Sequence, residues 1–403
     1  MKLAVILGDG MADWAVEALG GKTPLEVAQH PFMDRFARDG EFGLVKTVPD
    51  GMKPGSDTAN LSVFGYDPVR YYTGRSPLEA ASLGIDLAES DVTYRCNLVT
   101  LSEESDIADT TMIDYSAGEI STEEARELIE FLDARLSSEG VRLYPGFSYR
   151  HCFVMNHAET GAELTPPHDF TGKPVAGKLL SGANAELLFR WMKEAYALLN
   201  DHPVNRARVA AGKNPANAIW FWGEGRRPAL TPFYEKTGLH GAVISAVDLI
   251  QGIGQCAGMQ VVKVEGATGT FETNFAGKAA AAIDVLKNGA DFVYLHIEAA
   301  DECGHHGQVK EKVYSIEQID SQVIKPVFEY LENCGEDYAI LVLPDHPTPI
   351  QIRTHSAEPV PFALYRKDDS AGRTTRYTES EAKATGVYVE QGYRMIDRMK
   401  NRG

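Results

Sequence analysis

The feature that most limits what this chain can fold into is a set of three short apolar runs, each followed closely by an acidic residue. Residues 2–7 (KLAVIL) lead through Gly8 to Asp9, 291–297 (DFVYLHI) lead to Asp301, and 338–343 (YAILVL) lead through Pro344 to Asp345 and His346. Each run is continuous rather than alternating and rich in β-branched or aromatic residues. That is how a strand buried on both faces reads. Such strands need helices above and below them, and helical patterns lie close by. Residues 275–289 are rich in helix formers and stop at Asn288-Gly289, while 313–332 carry apolar residues near i, i+3, i+4 and i+7. Alternating strand and helix predicts an α/β fold, a parallel sheet with helices on both faces.

The middle of the chain has a different texture. A helix with the start signal Ser121-Thr122-Glu123-Glu124, short strands at 141–144 and 149–155, a helix over 183–199 and a strand at 218–222 read as a smaller α/β unit. We place it at residues 91–230, inserted into a larger domain made of 1–90 and 231–403. A length of 403 residues suits one such split domain as well as two or three separate ones.

Charge narrows the partners. Lys and Arg number 39 against 57 Asp and Glu, a formal charge of −18, which opposes polyanion-binding surfaces such as those for nucleic acid or a membrane face. It does not oppose a small phosphorylated substrate, which needs only a few local cations. Five scattered cysteines without a Cys-x-x-Cys pair suit a reducing compartment. The start of the chain lacks a signal-peptide pattern, and no run approaches the roughly 18–20 apolar residues of a membrane helix. A cytoplasmic protein is the expectation.

Ligands in parallel sheets gather beyond the carboxyl ends of strands. One aspartate there is ordinarily a loop or capping residue. Three such aspartates, two with histidines near them, point instead to a shared cation site. Asp301 and His305 stand at i, i+4, so both face the same way on a helical turn. Asp345-His346 suit one bridged cation or two neighbouring ones, and His355 follows nine residues later. Mixed carboxylate and imidazole donors favour Mn²⁺ or Zn²⁺ over Ca²⁺, with Mg²⁺ preferring fewer imidazoles. His306 is taken as a bystander and His296 as a satisfied core histidine.

Two further groups carry chemistry. In Lys53-Pro54-Gly55-Ser56-Asp57-Thr58, Ser56 stands at a loop-to-helix start. By local pattern Ser56 or Asp57 caps that helix; the alternative is that a cation activates Ser56 as a nucleophile. Neither the Gly-x-Ser-x-Gly elbow nor the P-loop or dinucleotide glycine pattern occurs. Arg75, Arg95, Arg150, Arg226 and Arg227 lie near glycines, prolines or strand ends, where a guanidinium fork can clamp phosphate or carboxylate. The pair Arg226-Arg227 is the preferred choice.

Gly8-Asp9-Gly10, Pro54-Gly55-Ser56-Asp57-Thr58, Asp301-x-x-Gly304-His305, Leu343-Pro344-Asp345-His346 and the later His355 together resemble the alkaline phosphatase superfamily. The resemblance is nearest to its bisphosphoglycerate-independent phosphoglycerate mutase branch, in the shorter archaeal-type form. Residues 56–68, Ser148-Tyr149-Arg150-His151 and Ala267-Thr268-Gly269 look like that short form. The resemblance implies an alkaline-phosphatase-like, mostly parallel sheet carrying two divalent cations, most often Mn²⁺, and an inserted phosphotransferase domain. Asp9, Ser56, Asp345 and His346 would hold one cation, and Asp301, His305 and His355 the other. Ser56 would carry the phosphoryl group between 3-phosphoglycerate and 2-phosphoglycerate, with Asp57, Arg150, Arg226 and Arg227 contacting substrate. Cys303 departs from the expected small residue in the Asp301–His305 segment; it stands close enough to perturb the site, and the alternative is that it only packs. The resemblance also admits a homoserine kinase-like phosphotransferase or a metal-dependent phosphomonoesterase.

Overall fold

Eight strands form the sheet that the apolar runs predict, in a computed structural model that describes residues 1–401. Their order is Gln260–Val262, Gly241–Ile244, Phe292–Ile297, Lys2–Gly8, Tyr338–Leu343, Val360–Arg366, Glu41–Val45 and Tyr388–Val389. Val360–Arg366 runs antiparallel to both of its neighbours, and every other pairing is parallel. The three predicted runs are the adjacent central strands. Leu7 pairs with both His296 and Leu343, so the three carboxyl ends finish side by side. Every residue of these strands is buried. Their apolar side chains share one core with the helices Pro31–Asp39 and Phe275–Lys287 and with Ile316, Val323 and Leu331.

The helix expected over 313–332 is present with an irregularity. Val309–Gln318 and Lys325–Asn333 are joined by a π-helical turn, Ile319–Ile324. Pro326 lacks an N–H and its ring crowds the carbonyl four residues back, and a wider turn just before it relieves that conflict.

Residues Thr73–Pro228 form a second unit, with Met1–Tyr72 and Ala229–Gly403 making up the first. The expected first junction at 90 is therefore too late. The helix Ser76–Ser82 belongs with the insert because Ser76 Oγ donates to Thr93 O at 2.9 Å and Glu79 meets Arg95 at 2.8 Å. The insert is built on an antiparallel sheet. Val92–Leu101 lies at its centre between Arg150–Met155 and Ala218–Arg226, with Val141–Phe147 beyond Arg150–Met155. The helix Thr122–Leu136 starts as its sequence predicts, with Ser121 Oγ accepting from Glu124 N at 3.3 Å. Among the described residues no helix is long and apolar enough to cross a membrane.

Candidate active site

Because the three central strands end together, Asp9, Asp301 and Asp345 meet although they are hundreds of residues apart. Two groups of donor atoms result that could each hold a metal ion: Asp9, Asp345 and His346, and Asp301, His346 and His355. His346 Nε2 lies 3.6 Å from Asp9 Oδ1 and 3.2 Å from Asp345 Oδ2. His305 Nε2 and His355 Nε2 lie 3.3 and 3.4 Å from the two oxygens of Asp301, and 2.9 Å from each other. The helix Ala299–His306 carries Asp301 and His305 at its predicted i, i+4 spacing.

The other ring nitrogens show which atoms are left for a cation. His305 Nδ1 faces Arg353 O at 3.0 Å, so that nitrogen carries a proton and Nε2 is left for a cation or, without one, for a proton shared with Asp301. Thr348 Oγ1 donates to Asp301 Oδ1, and its oxygen lies 3.3 Å from His346 Nδ1. The hydroxyl has one proton, which goes to the carboxylate, so His346 Nδ1–H donates to it and Nε2 presents a lone pair. Lone pairs and carboxylate oxygens thus converge on two points. Asp9 Oδ1 is buried without a hydrogen-bond partner. This donor set fits divalent cations: buried acceptors facing one another are costly unless a positive charge lies between them.

The electrostatics agree. Burial, together with the charges of Asp345 and Asp301, pushes the Asp9 carboxyl well above the usual carboxylate range. Burial also acts to raise Asp301, but hydrogen bonds from His305 and His355 outweigh it and hold that carboxyl well below the usual range. Burial depresses His346, against the pull of Asp345.

Ser56 opens the helix Ser56–Val63 and does not cap it. Its Oγ turns to His346 Nε2 at 3.2 Å. Asn60, one turn on, donates to Ser56 O at 2.9 Å and to Asp345 Oδ2 at 2.8 Å, which ties the helix start to the carboxylates. Tyr294 OH donates to Asn60 Oδ1 at 2.6 Å and fixes that amide's orientation. Asp57 keeps a local role, accepting from Thr58 N at 2.8 Å, and it also accepts from Tyr72 OH at 2.6 Å.

Three of the expectations gain detail. His296 is buried and satisfied, but its Nε2 lies 2.9 Å from Asp9 Oδ2, so it orients a site carboxylate. The reading of a core histidine did not include this role, though its place one residue before the end of the strand beside Asp9's own was a usable signal. Of the two readings of Cys303, packing is the one seen. Its Sγ faces Ser315 Oγ at 3.9 Å in the packed interior, two residues round the helix from Asp301. Arg226 and Arg227 meet the insert's own backbone: Arg226 donates to Ala158 O at 2.5 Å and Glu89 O at 3.2 Å, and Arg227 to Leu87 O at 3.3 Å. His306 is exposed beside Glu302, as expected of a bystander.

The insert's basic cluster is elsewhere. Glu79 lies 2.9 Å from Arg75 and 2.8 Å from Arg95, and Arg150 is near enough for its charge to act on both Glu79 and Arg95. Arg95 also stacks over Trp222, at 4.2 Å from the ring centre. Burial, aided by the like charges of Arg75 and Arg150 and opposed by Glu79, pulls Arg95 down to about 10. Three guanidiniums therefore stand near this one carboxylate.

The model of the 2,3-bisphosphoglycerate-independent phosphoglycerate mutase family matches residues 37–205. A probable 2,3-bisphosphoglycerate-independent phosphoglycerate mutase of Geobacter sulfurreducens is 49% identical over 403 residues, covering 100% of both chains. The enzyme of that name from Methanothrix thermoacetophila is 51% identical and covers 98% of each chain. Among solved structures, a Pyrococcus horikoshii protein superposes with a TM-score of 0.81 at 31% identity, covering 99% of this chain and 96% of its own. A cofactor-independent phosphoglycerate mutase from Thermoplasma acidophilum superposes with a TM-score of 0.67 at 26% identity, covering 99% of both.

Proposed function

This chain belongs to the 2,3-bisphosphoglycerate-independent phosphoglycerate mutase family, and from that premise we propose that its clustered carboxylates and imidazoles interconvert 3-phosphoglycerate and 2-phosphoglycerate through Ser56. The observation that carries this reading is the placement of Ser56 Oγ. It lies 3.2 Å from the lone-pair nitrogen of His346, at the start of a helix tied by Asn60 to Asp345. A serine held there by backbone and side chain, rather than used as a cap, is a nucleophile in position.

Asp9, Ser56, Asp345 and His346 would hold one divalent cation, and Asp301, His305 and His355 a second, with Mn²⁺ the best match to three carboxylates and three imidazoles. When bound, the cations lower the pKa of the serine hydroxyl and neutralise charge on the phosphoryl group. In the first transfer, the bond from Ser56 Oγ to phosphorus forms and the bond to the glycerate 3-oxygen breaks. In the second, the glycerate 2-oxygen attacks and the bond to Ser56 breaks. The proton lost by Ser56 goes to the 3-oxygen, and the proton lost by the 2-hydroxyl returns to Ser56, so none is consumed. The helix N-terminus at Ser56 favours negative charge on the phosphoryl oxygens.

Between the transfers the glycerate must be retained and water kept away. We assign its anionic groups to Arg150 with Arg75 and Arg95. Each guanidinium can grip a carboxylate or phosphate bidentately, and Glu79 holds two of them in a set orientation. Asp57, whose oxygens keep a lone pair beyond the bonds from Thr58 and Tyr72, is assigned to a glycerate hydroxyl. The insert would thus be the substrate-holding unit.

The test is an isomerisation assay from 3-phosphoglycerate, with and without Mn²⁺ and without bisphosphoglycerate, run beside assays for phosphate release and for phosphorylation of homoserine by ATP. Mn²⁺-dependent 2-phosphoglycerate as the main product supports the reading. Phosphohomoserine without isomerisation, or phosphate release that outpaces isomerisation, would overturn it.

A further inference from the structure

The two donor groups share a residue that neither the strand-end pattern nor the helix spacing predicts. Thr348 is fully buried, two residues beyond His346. Its hydroxyl proton goes to Asp301 Oδ1 and its oxygen receives His346 Nδ1–H, so a single atom grips Asp301 and the histidine common to both groups. The rest of the residue is anchored on three sides. Its N–H donates to Ala12 O at 3.2 Å, in the loop that follows Asp9. Its carbonyl accepts from Lys312 Nζ at 2.8 Å, and that fully buried ammonium also meets Asp13 Oδ2 at 2.7 Å. The segment beyond is held to the same carboxylate, since Ile350 N donates to Asp13.

Glycines clear the seat. A Cβ on Gly304 would fall 2.6 Å from Thr348 O and 2.8 Å from its methyl carbon, and a Cβ on Gly10 would fall 2.6 Å from Thr348 Oγ1. Gly10 is also in the left-handed region at φ 62°, so its lack of a side chain serves both the turn and this close approach. The hydroxyl is therefore fixed from every side, with both of its bonds directed at candidate ligands.

We propose that Thr348 is a positioning residue that sets the two cation sites relative to one another, with its Oγ fixing the carboxylate rotamer of Asp301 and the tautomer of His346 together. The proposal rests on the two-cation reading given above. Partners of this kind, one shell behind the ligands, typically contribute about 10–100-fold in metal affinity or activity. Valine would preserve the shape of Thr348 without the hydroxyl, and serine would preserve the hydroxyl without the methyl.

The experiment compares the wild-type protein with Thr348→Val and Thr348→Ser, each stripped with EDTA and titrated with Mn²⁺ by calorimetry, with isomerisation measured in parallel. The expected result is two Mn²⁺ per wild-type chain, affinity for both weakened by about 10–100-fold in Thr348→Val, and wild-type-like binding in Thr348→Ser. Should Thr348→Val not fold, Thr348→Ser against Thr348→Ala isolates the same hydroxyl. Wild-type affinities in the variant without the hydroxyl, or an equal loss in Thr348→Ser, would overturn the proposal alone. A wild-type chain that takes up no Mn²⁺ would overturn this proposal and the two-cation reading together.

Discussion

The larger unit and the insert bury opposite excesses of charge. At the strand ends of the larger unit, Asp9, Asp301 and Asp345 crowd together, and among the described residues their ion-pair partners are all histidines. In the insert, Arg75, Arg95 and Arg150 gather round the single carboxylate of Glu79. The first arrangement suits cations and the second suits an anion. A chain of net charge −18 can thus handle an anionic substrate, because the sign that matters is set locally by ligands and a few guanidiniums. In the proposed function the difference also divides the work: one unit would activate an oxygen nucleophile, and the other would grip a small anion.

That contrast can be broken by experiment. The largest effect is expected from Ser56→Ala, which removes the only atom proposed to form a covalent bond. Isomerisation should fall by about 10⁴-fold or more, measured as 2-phosphoglycerate formation, with Mn²⁺ uptake largely retained because six other donors remain. Robust turnover in that variant would sink the nucleophile assignment. Next comes removal of the metal. EDTA should abolish turnover and lower the melting temperature of the larger unit, since a cation held at 100 times its Kd adds about 2.7 kcal/mol. Differential scanning calorimetry with and without Mn²⁺ reads this. If instead the insert's transition moved while that of the larger unit stayed, the contrast would be reversed.

Glu79→Gln tests the other side. It leaves Arg95 buried without its counter-charge, and losing one partner of a buried pair costs roughly 3–5 kcal/mol. The expected readout is a lower urea midpoint for the insert, with Mn²⁺ binding by the larger unit unchanged. A smaller effect is expected from Arg150→Met. Arg150 is half-buried, and its loss should raise KM for 3-phosphoglycerate by about tenfold, equivalent to about 1.4 kcal/mol, leaving the fold intact by circular dichroism. An unchanged KM would point to other residues as the anion clamp.

The smallest effect is a pH dependence. Burial acts to raise the Glu79 carboxyl, but Arg95 and Arg75 outweigh it and hold it below its ordinary value. The folded insert therefore binds fewer protons than the unfolded chain near that value. Its stabilisation is fully present above the ordinary glutamate pKa, about 4.3, and is lost as pH falls through the lower folded value. Urea midpoints between roughly pH 6 and pH 3 should drop more steeply for the wild type than for Glu79→Gln in the part assigned to the insert.

Much of this was legible in the chain. Continuous apolar runs identified the three central strands because a strand buried on both faces has no polar face to interrupt it. The acidic residue after each marked the site, and i, i+4 spacing paired Asp301 with His305. The insert was harder to read. Its central strand, Val92–Leu101, is buried at every position yet contains Thr93, Arg95 and Asn97, which break the apolar pattern. Those polar groups are met by distant residues: Arg95 by the charge of Glu79 and the ring of Trp222, and Asn97 by Tyr115 O and Trp222. The preference for Arg226 and Arg227 missed their backbone contacts for a related reason. Position at a strand end shows that a guanidinium could reach an anion, but not that backbone carbonyls will reach it first.

The sequence by itself determined the α/β class, the central strands, and the residue types and local spacing of the metal-ligand candidates, because periodicity, strand burial and helical geometry act over a few residues. The tertiary structure alone decided which nitrogen of His346 faces Asp9, that His296, Asn60 and Thr348 hold the ligands in place, and which arginines gather around Glu79. Those outcomes depend on hydrogen bonds between side chains brought together from opposite ends of the chain. Their energies exist only once the sheet has aligned its strand ends and water has been excluded from between them.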